Sequence, residues 1–203
     1  MTPFITGLAA GLGLIVAIGA QNAYVIRQGL LRRHHLPIAA LCFIVDAALI
    51  VVGVAGVGSA IAESDLLTRI AAWGGAIFLI VLGLRALGRA VGGGHALGDG
   101  PAAPAHRGPA LATALALSVL NPHVYLDTVS LLGGIGAQFP GEGRALFAGG
   151  AIAASGIWFF GLALAASAAA PLLRTERAVR VLDGVIATVM IGLAIALATG
   201  ALA

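Results

Sequence analysis

Six apolar runs, at residues 3–26, 36–60, 66–91, 110–135, 145–172 and 182–202, make up most of the sequence. As a helix rising about 1.5 Å per residue, each is long enough to cross about 30 Å of hydrocarbon. With one exception only short connections remain between them, so the pattern predicts an all-α polytopic membrane protein with six transmembrane helices. Composition agrees, since 9% of the residues are charged, against about 25% in soluble domains. No basic residue precedes the first run, which is about twice as long as a signal peptide's apolar region, so it reads as a retained first helix. The single cysteine, Cys42, lies inside an apolar run and reads as a small buried hydrophobe.

All 11 basic side chains are arginine, and their positions matter more than their sum. Arg27, Arg32, Arg33, Arg85, Arg89, Arg107, Arg174, Arg177 and Arg180 fall at the odd-numbered connections, and only Arg69 and Arg144 at the even-numbered ones. By the positive-inside rule the odd connections are expected in the cytoplasm and both termini outside. Arginines scattered at the ends of apolar runs do not make a nucleic-acid-binding surface. His34 and His35, among the arginines of the first connection, read as part of a solvated face.

The one long polar connection runs from Gly92 to Pro109 and has the Gly and Pro content of a flexible linker. It divides a single transmembrane domain, 1–203, into a first repeat over 1–91, a linker over 92–109 and a second repeat over 110–203. With three spans in each half, the second half enters the membrane from the opposite side, so the two are expected to form inverted repeats. Gln21-Asn22-Ala23 echoes Leu120-Asn121-Pro122, and Gly75 and Gly83 share their spacing with Gly184 and Gly192. The abundance of glycine in tightly packed membrane helices accounts for the second match about equally well.

Polar residues inside the runs are the candidate functional groups. A carboxylate at mid-membrane costs on the order of 2.5–3.5 kcal/mol on insertion scales unless it faces a protein interior or water. Asp46, in LCFIVDAALIVVG, and Asp127, in NPHVYLDTVSLLGG, are both in this position. The alternative reading is a structural hydrogen bond or ion pair that locks two helices together. Counted from the cytoplasmic ends of their helices, Asp127 lies about 25 Å deep and Asp46 about 15 Å, as stations on a path would.

On a continuous helix Asn121 and Tyr125 share one face, while His123 and Asp127 share nearly the opposite one. Pro122 removes an intrahelical hydrogen bond and frees the carbonyl of Ser118, so the fourth helix is expected to break there and line a cavity. An ordinary proline kink is the alternative. In the first helix, Gly19-Ala20-Gln21-Asn22 is the corresponding weak place. His123, four residues before Asp127, suits either proton relay or holding that carboxylate's orientation. Trp73 and Trp158 fit packed interiors as readily as an interfacial belt. No nucleophile with a base, no paired metal-ligand histidines and no phosphate loop is visible, so no enzyme, cofactor or metal is expected.

Together these stretches carry a resemblance. Gly19-Ala20-Gln21-Asn22-Ala23-Tyr24-Val25-Ile26-Arg27-Gln28-Gly29 and Leu120-Asn121-Pro122-His123-Val124-Tyr125-Leu126-Asp127-Thr128 are similar to signatures of the LysE superfamily, specifically its lysine and arginine exporter branch. Ser155-Gly156-Ile157-Trp158-Phe159-Phe160-Gly161 and Trp73-Gly74-Gly75 resemble the same branch, and the likeness runs the length of the chain in order. It implies a multi-pass exporter of basic amino acids in the bacterial inner membrane, with L-arginine or L-lysine as substrate. It also places functional weight on Asp46 and Asp127. The sequence departs from the family at Ala20, where a proline is usual, and at Val45, where a serine precedes the aspartate.

The mechanism expected from these residues is alternating access, one repeat rocking against the other. Asp46 and then Asp127 would neutralise the cationic head. Gln21, Asn22 and Asn121, with His123 and Tyr125 beside them and the helix ends freed at Gly19 and Pro122, would hold the substrate's backbone groups. Protons are the expected coupling ion, because exporting a cation against an inside-negative potential costs about 2.3 kcal/mol per 100 mV, which proton exchange cancels. The expected surroundings are the lipid bilayer, with a homodimer left open. Two rivals remain: export of small neutral amino acids, and a passive channel or helical subunit in which the acids are structural.

Overall fold

The computed structural model describes residues 2–16, 19–55, 65–92, 106–120, 124, 128, 131–173 and 175–199, without the side chains of 65–72, 172, 173 and 197. Among these residues all regular structure is helical. The helices are α1 (Pro3–Ile15), α2 (Ala20–Leu30), α3 (His35–Val54), α4 (Asp65–Val91), α5 (Arg107–Val119), α6 (Leu132–Gly136), α7 (Glu142–Ala169) and α8 (Glu176–Ala198), with a 3₁₀ turn at Ala170–Leu173 before α8.

Four segments are long and apolar enough to cross a membrane: α3, Trp73–Val91 of α4, α7, and Glu176–Ala196 of α8. A fifth is the pair α1 and α2, whose axes are bent by 83°. The first apolar run is thus two helices rather than one. Gly19 is extended (φ −116°, ψ 172°) and α2 begins at Ala20, so the chain leaves the helix here without the family's proline. The fourth span, expected over 110–135, is represented by α5 and α6, and Asn121, Pro122, His123, Tyr125 and Asp127 lie outside the described residues. So does the expected linker, apart from Gly92 and residues 106–109.

α7 is the central helix and packs against α1, α2 and α3, while α3 also meets α5 and α6. α4 pairs with α8, and this pair joins the rest where α8 touches α2. The α1–α7 approach depends on absent side chains. A Cβ on Gly7 would run into the Phe147 carbonyl, and one on Gly150 into the Phe4 carbonyl. In lipid, helices gain nothing from hiding apolar surface from water, so close backbone contact between small residues carries the association. Gly83 likewise abuts Ile191, but Gly184 and Gly192 have nothing within 4 Å. Their shared spacing therefore does not mark a shared packing role.

Large apolar side chains point outward, among them Ile44, Val51, Trp73, Ile77, Leu84, Ile157 and Val185. The interior holds, among small and apolar side chains, the polar residues Asn22, Arg27, Gln28, Asp46, Ser118, Ser155 and Asp183, all buried. An apolar shell around polar groups is what a bilayer solvent selects, because a polar group facing hydrocarbon has no partner.

Candidate functional site

Asp46 lies near the middle of the 20-residue helix α3 and is 5% exposed. Its partner comes from α7: Ser155 Oγ donates a 3.0 Å hydrogen bond to Asp46 Oδ2. No ion pair reaches Asp46 among the described residues. The hydroxyl therefore orients the carboxylate without cancelling its charge. Val45 offers no hydroxyl, and Ser155 supplies one from the neighbouring helix instead.

One turn along α7, on the same face as Ser155, Trp158 donates from Nε1 to Asn22 Oδ1 at 3.2 Å. Asn22 in turn donates from Nδ2 to the carbonyl of Ile15 at 3.0 Å. Ile15 is the last residue of α1, so this is one of the carbonyls that a helix end leaves without an intrahelical partner. The Asn22 amide thus closes the break between α1 and α2, and Trp158 holds that amide in place. A single face of α7 consequently carries both Asp46 and the broken first helix.

A second polar row runs along α2 at Gln21, Tyr24 and Gln28, three, four and seven residues apart and so on one face. Gln21 Nε2 donates to Ser118 Oγ at 3.0 Å, and Ser118 Oγ donates to the Ala114 carbonyl at 3.0 Å. Tyr24 Oη donates to the Ala110 carbonyl at 3.1 Å. These bonds tie α2 to both ends of α5. Gln28 is 1% exposed, and its amide has no hydrogen-bond partner among the described residues. Cys42 is buried one turn before Asp46, as expected of a small hydrophobe.

Of the residues singled out from the sequence, Gly19, Gln21, Asn22 and Asp46 are therefore described, and the first three border the α1–α2 break. Sequence reasoning missed Ser155 and Trp158 as partners, although hydroxyl and indole at i and i+3 on an apolar helix are a visible signal. It also treated Arg27 and Arg89 only as topology markers. Both meet the buried Asp183: Arg27 Nε at 3.1 Å, and Arg89 Nη2 at 3.1 Å. His34 and His35 are half-buried rather than fully solvated. Among the described residues no group of three or more His, Cys, Asp or Glu side chains gathers to hold a metal.

Apolar helices around a buried, oriented carboxylate beside a broken helix define a multi-pass helical membrane protein of the transporter class. Within that class the chain belongs to the LysE type translocator family, whose sequence model matches residues 12–201. It is 44% identical over 197 residues to the putative amino-acid transporter YggA of Aeromonas salmonicida, covering 97% of this chain and 95% of that one. It is 42% identical over 195 residues to the arginine exporter protein ArgO of Pectobacterium carotovorum, covering 96% of each. To the arginine exporter protein ArgO of Escherichia coli it is 41% identical over 200 residues, 98% of this chain and 95% of that one. No solved structure matches the chain.

Proposed function

We propose that this protein exports basic amino acids, L-arginine first and L-lysine with it, across the bacterial inner membrane. The observation that carries the reading is Asp46, a buried mid-membrane carboxylate held by a neutral hydroxyl and given no counter-ion by the described residues. A cationic side chain is the complement such a group lacks. The names of the relatives support the same substrate class.

In this reading Asp46 receives the guanidinium or ammonium head, and Asp127 takes it further along the path. Gln21, Asn22 and Asn121, with His123 and Tyr125, order the substrate's backbone groups at the breaks near Gly19 and Pro122. The two halves, 1–91 and 110–203, act as inverted repeats around this centre. The contact pattern supports that arrangement, because exchanging the halves maps the α1–α7 contact onto α5–α3 and returns both α3–α7 and α4–α8 to themselves. Both termini lie outside, with the arginine-rich connections in the cytoplasm. Protons exchange for the substrate cation, which removes an electrical cost of about 2.3 kcal/mol per 100 mV. The assembly is a monomer or a homodimer.

Cells expressing the chain should resist canavanine, a toxic arginine analogue, and sensitivity equal to that of cells lacking it would refute the assignment. In inside-out vesicles, arginine uptake should fall when the proton gradient is collapsed. Unchanged uptake would remove the proton coupling and leave the substrate assignment standing.

A further inference from the structure

Asp183 is the one acidic residue of the last apolar run, and two guanidinium groups sit on it. Arg27 Nε at 3.1 Å, with Arg89 Nε at 3.2 Å and Nη2 at 3.1 Å, all converge on Oδ1. Among the described residues no hydrogen bond reaches Oδ2. The three residues come from α2, α4 and α8, at the place where the α4–α8 pair joins the rest of the molecule. The two cations differ in access: the side chain of Arg27 is 9% exposed and that of Arg89 28%.

We propose that Asp183 is an intake site for the substrate's guanidinium, which binds there by taking the place of Arg89 and so frees the end of α4 from the α2–α8 contact. The proposal rests on the basic-amino-acid reading above. Its chemistry is an exchange of like for like, because a substrate guanidinium offers the same planar fork of donors as Arg89. Asp183 is then never left as a buried charge without a partner, which would be the costly state. A neutral amino acid offers only its α-ammonium beside its own carboxylate and lacks the planar fork, so the latch favours a guanidinium side chain before the substrate reaches Asp46. Arg89, the more exposed cation, is the exchangeable one, and Arg27 remains as the fixed partner.

The chain carries its own reporter. Cys42 is the sole cysteine, 1% exposed, and lies one turn from Asp46 on the same face of α3. In inside-out vesicles, Cys42 alkylation by an impermeant maleimide and labelled arginine uptake are compared for the native chain, Arg89→Gln and Arg89→Lys. Arg89→Gln should raise the alkylation rate about fivefold, the lower end of the range for one coupled contact. It should also lower the arginine concentration for half-maximal uptake, since the competing guanidinium is gone. Arg89→Lys, which keeps the charge without the paired contact, should fall between. A native chain that takes up arginine while both variants match it in alkylation and half-maximal concentration would overturn the intake site. A native chain that takes up no arginine refutes the substrate reading instead.

Discussion

Ser155 Oγ and Asp46 Oδ2 are joined by a 3.0 Å hydrogen bond across the contact between α7 and α3. The bond separates two functions that buried carboxylates serve here. Asp183 receives guanidinium groups from both Arg27 and Arg89, so in this state its charge already has partners within the protein. Asp46 receives a hydroxyl, which fixes its direction without cancelling its charge. The bland reading of Asp46, a structural bond between two helices, and the functional one thus meet in the same contact, and mutation distinguishes them.

Replacing Ser155 by alanine removes that one donor from a charged acceptor. A hydrogen bond of this kind contributes about 1.5–3 kcal/mol. Arginine uptake by Ser155→Ala in inside-out vesicles should fall about tenfold or more, since roughly 1.4 kcal/mol is a factor of ten. Ser155→Thr, which keeps the hydroxyl, should stay near the native rate. Native uptake by the alanine variant would mean that the bond does not shape the site.

Trp158→Phe keeps an aromatic ring and removes the N–H that holds Asn22. The loss of one neutral hydrogen bond, about 1 kcal/mol, should lower uptake severalfold by loosening the α1–α2 break. Trp73→Phe is the control, because Trp73 is 59% exposed on the apolar surface. Equal effects of the two substitutions would argue against a positioning role for Trp158.

The α1–α7 contact predicts a sharp contrast between adjacent glycines. At Gly150 a Cβ meets the Phe4 carbonyl, whereas at Gly149 it meets nothing within 4 Å. Gly150→Ala should destabilise the protein by about 1–3 kcal/mol, the usual cost of overpacking, and Gly149→Ala should be close to neutral. Thermal unfolding in detergent reads the difference, and similar melting temperatures would contradict the packing.

Asp183→Asn removes the buried charge on which Arg27 and Arg89 converge, and breaking a buried ion pair costs about 3–5 kcal/mol. The variant should accumulate poorly in the membrane. Glu176→Gln breaks the exposed pair with Arg180, 3.2 Å across one turn of α8, and should cost no more than about 0.5 kcal/mol. Comparable membrane levels of both variants would show that the Asp183 cluster is not structural in this sense.

The membrane class was legible from the sequence because hydrocarbon thickness sets run lengths directly. Asp46 was legible for a related reason, since an acid with no nearby charge in an apolar run must find a partner or a purpose. The weak place near Gly19 was legible too, yet its chemistry was not. Asn22 closes the break by bonding the Ile15 carbonyl seven residues back, and its support, Trp158, is far away in sequence. Arg27 was misjudged for the opposite reason. Arginines at helix ends ordinarily set topology, and nothing local shows that Asp183, in another helix, turns Arg27 inward. Pairings between distant helices depend on the three-dimensional approach of α2, α7 and α8, which periodicity within one run does not encode.

In the proposed export route Asp46 supplies the negative charge that receives a cationic substrate. Inside-out vesicles carrying native chain or Asp46→Asn at equal membrane levels, given labelled arginine, test it most directly. The asparagine keeps the size and accepts the Ser155 hydrogen bond, and it removes the charge. Asp46→Asn should accumulate and fold normally, with arginine uptake reduced to that of empty vesicles. Uptake at the native rate, or a protein that no longer accumulates in the membrane, would contradict it.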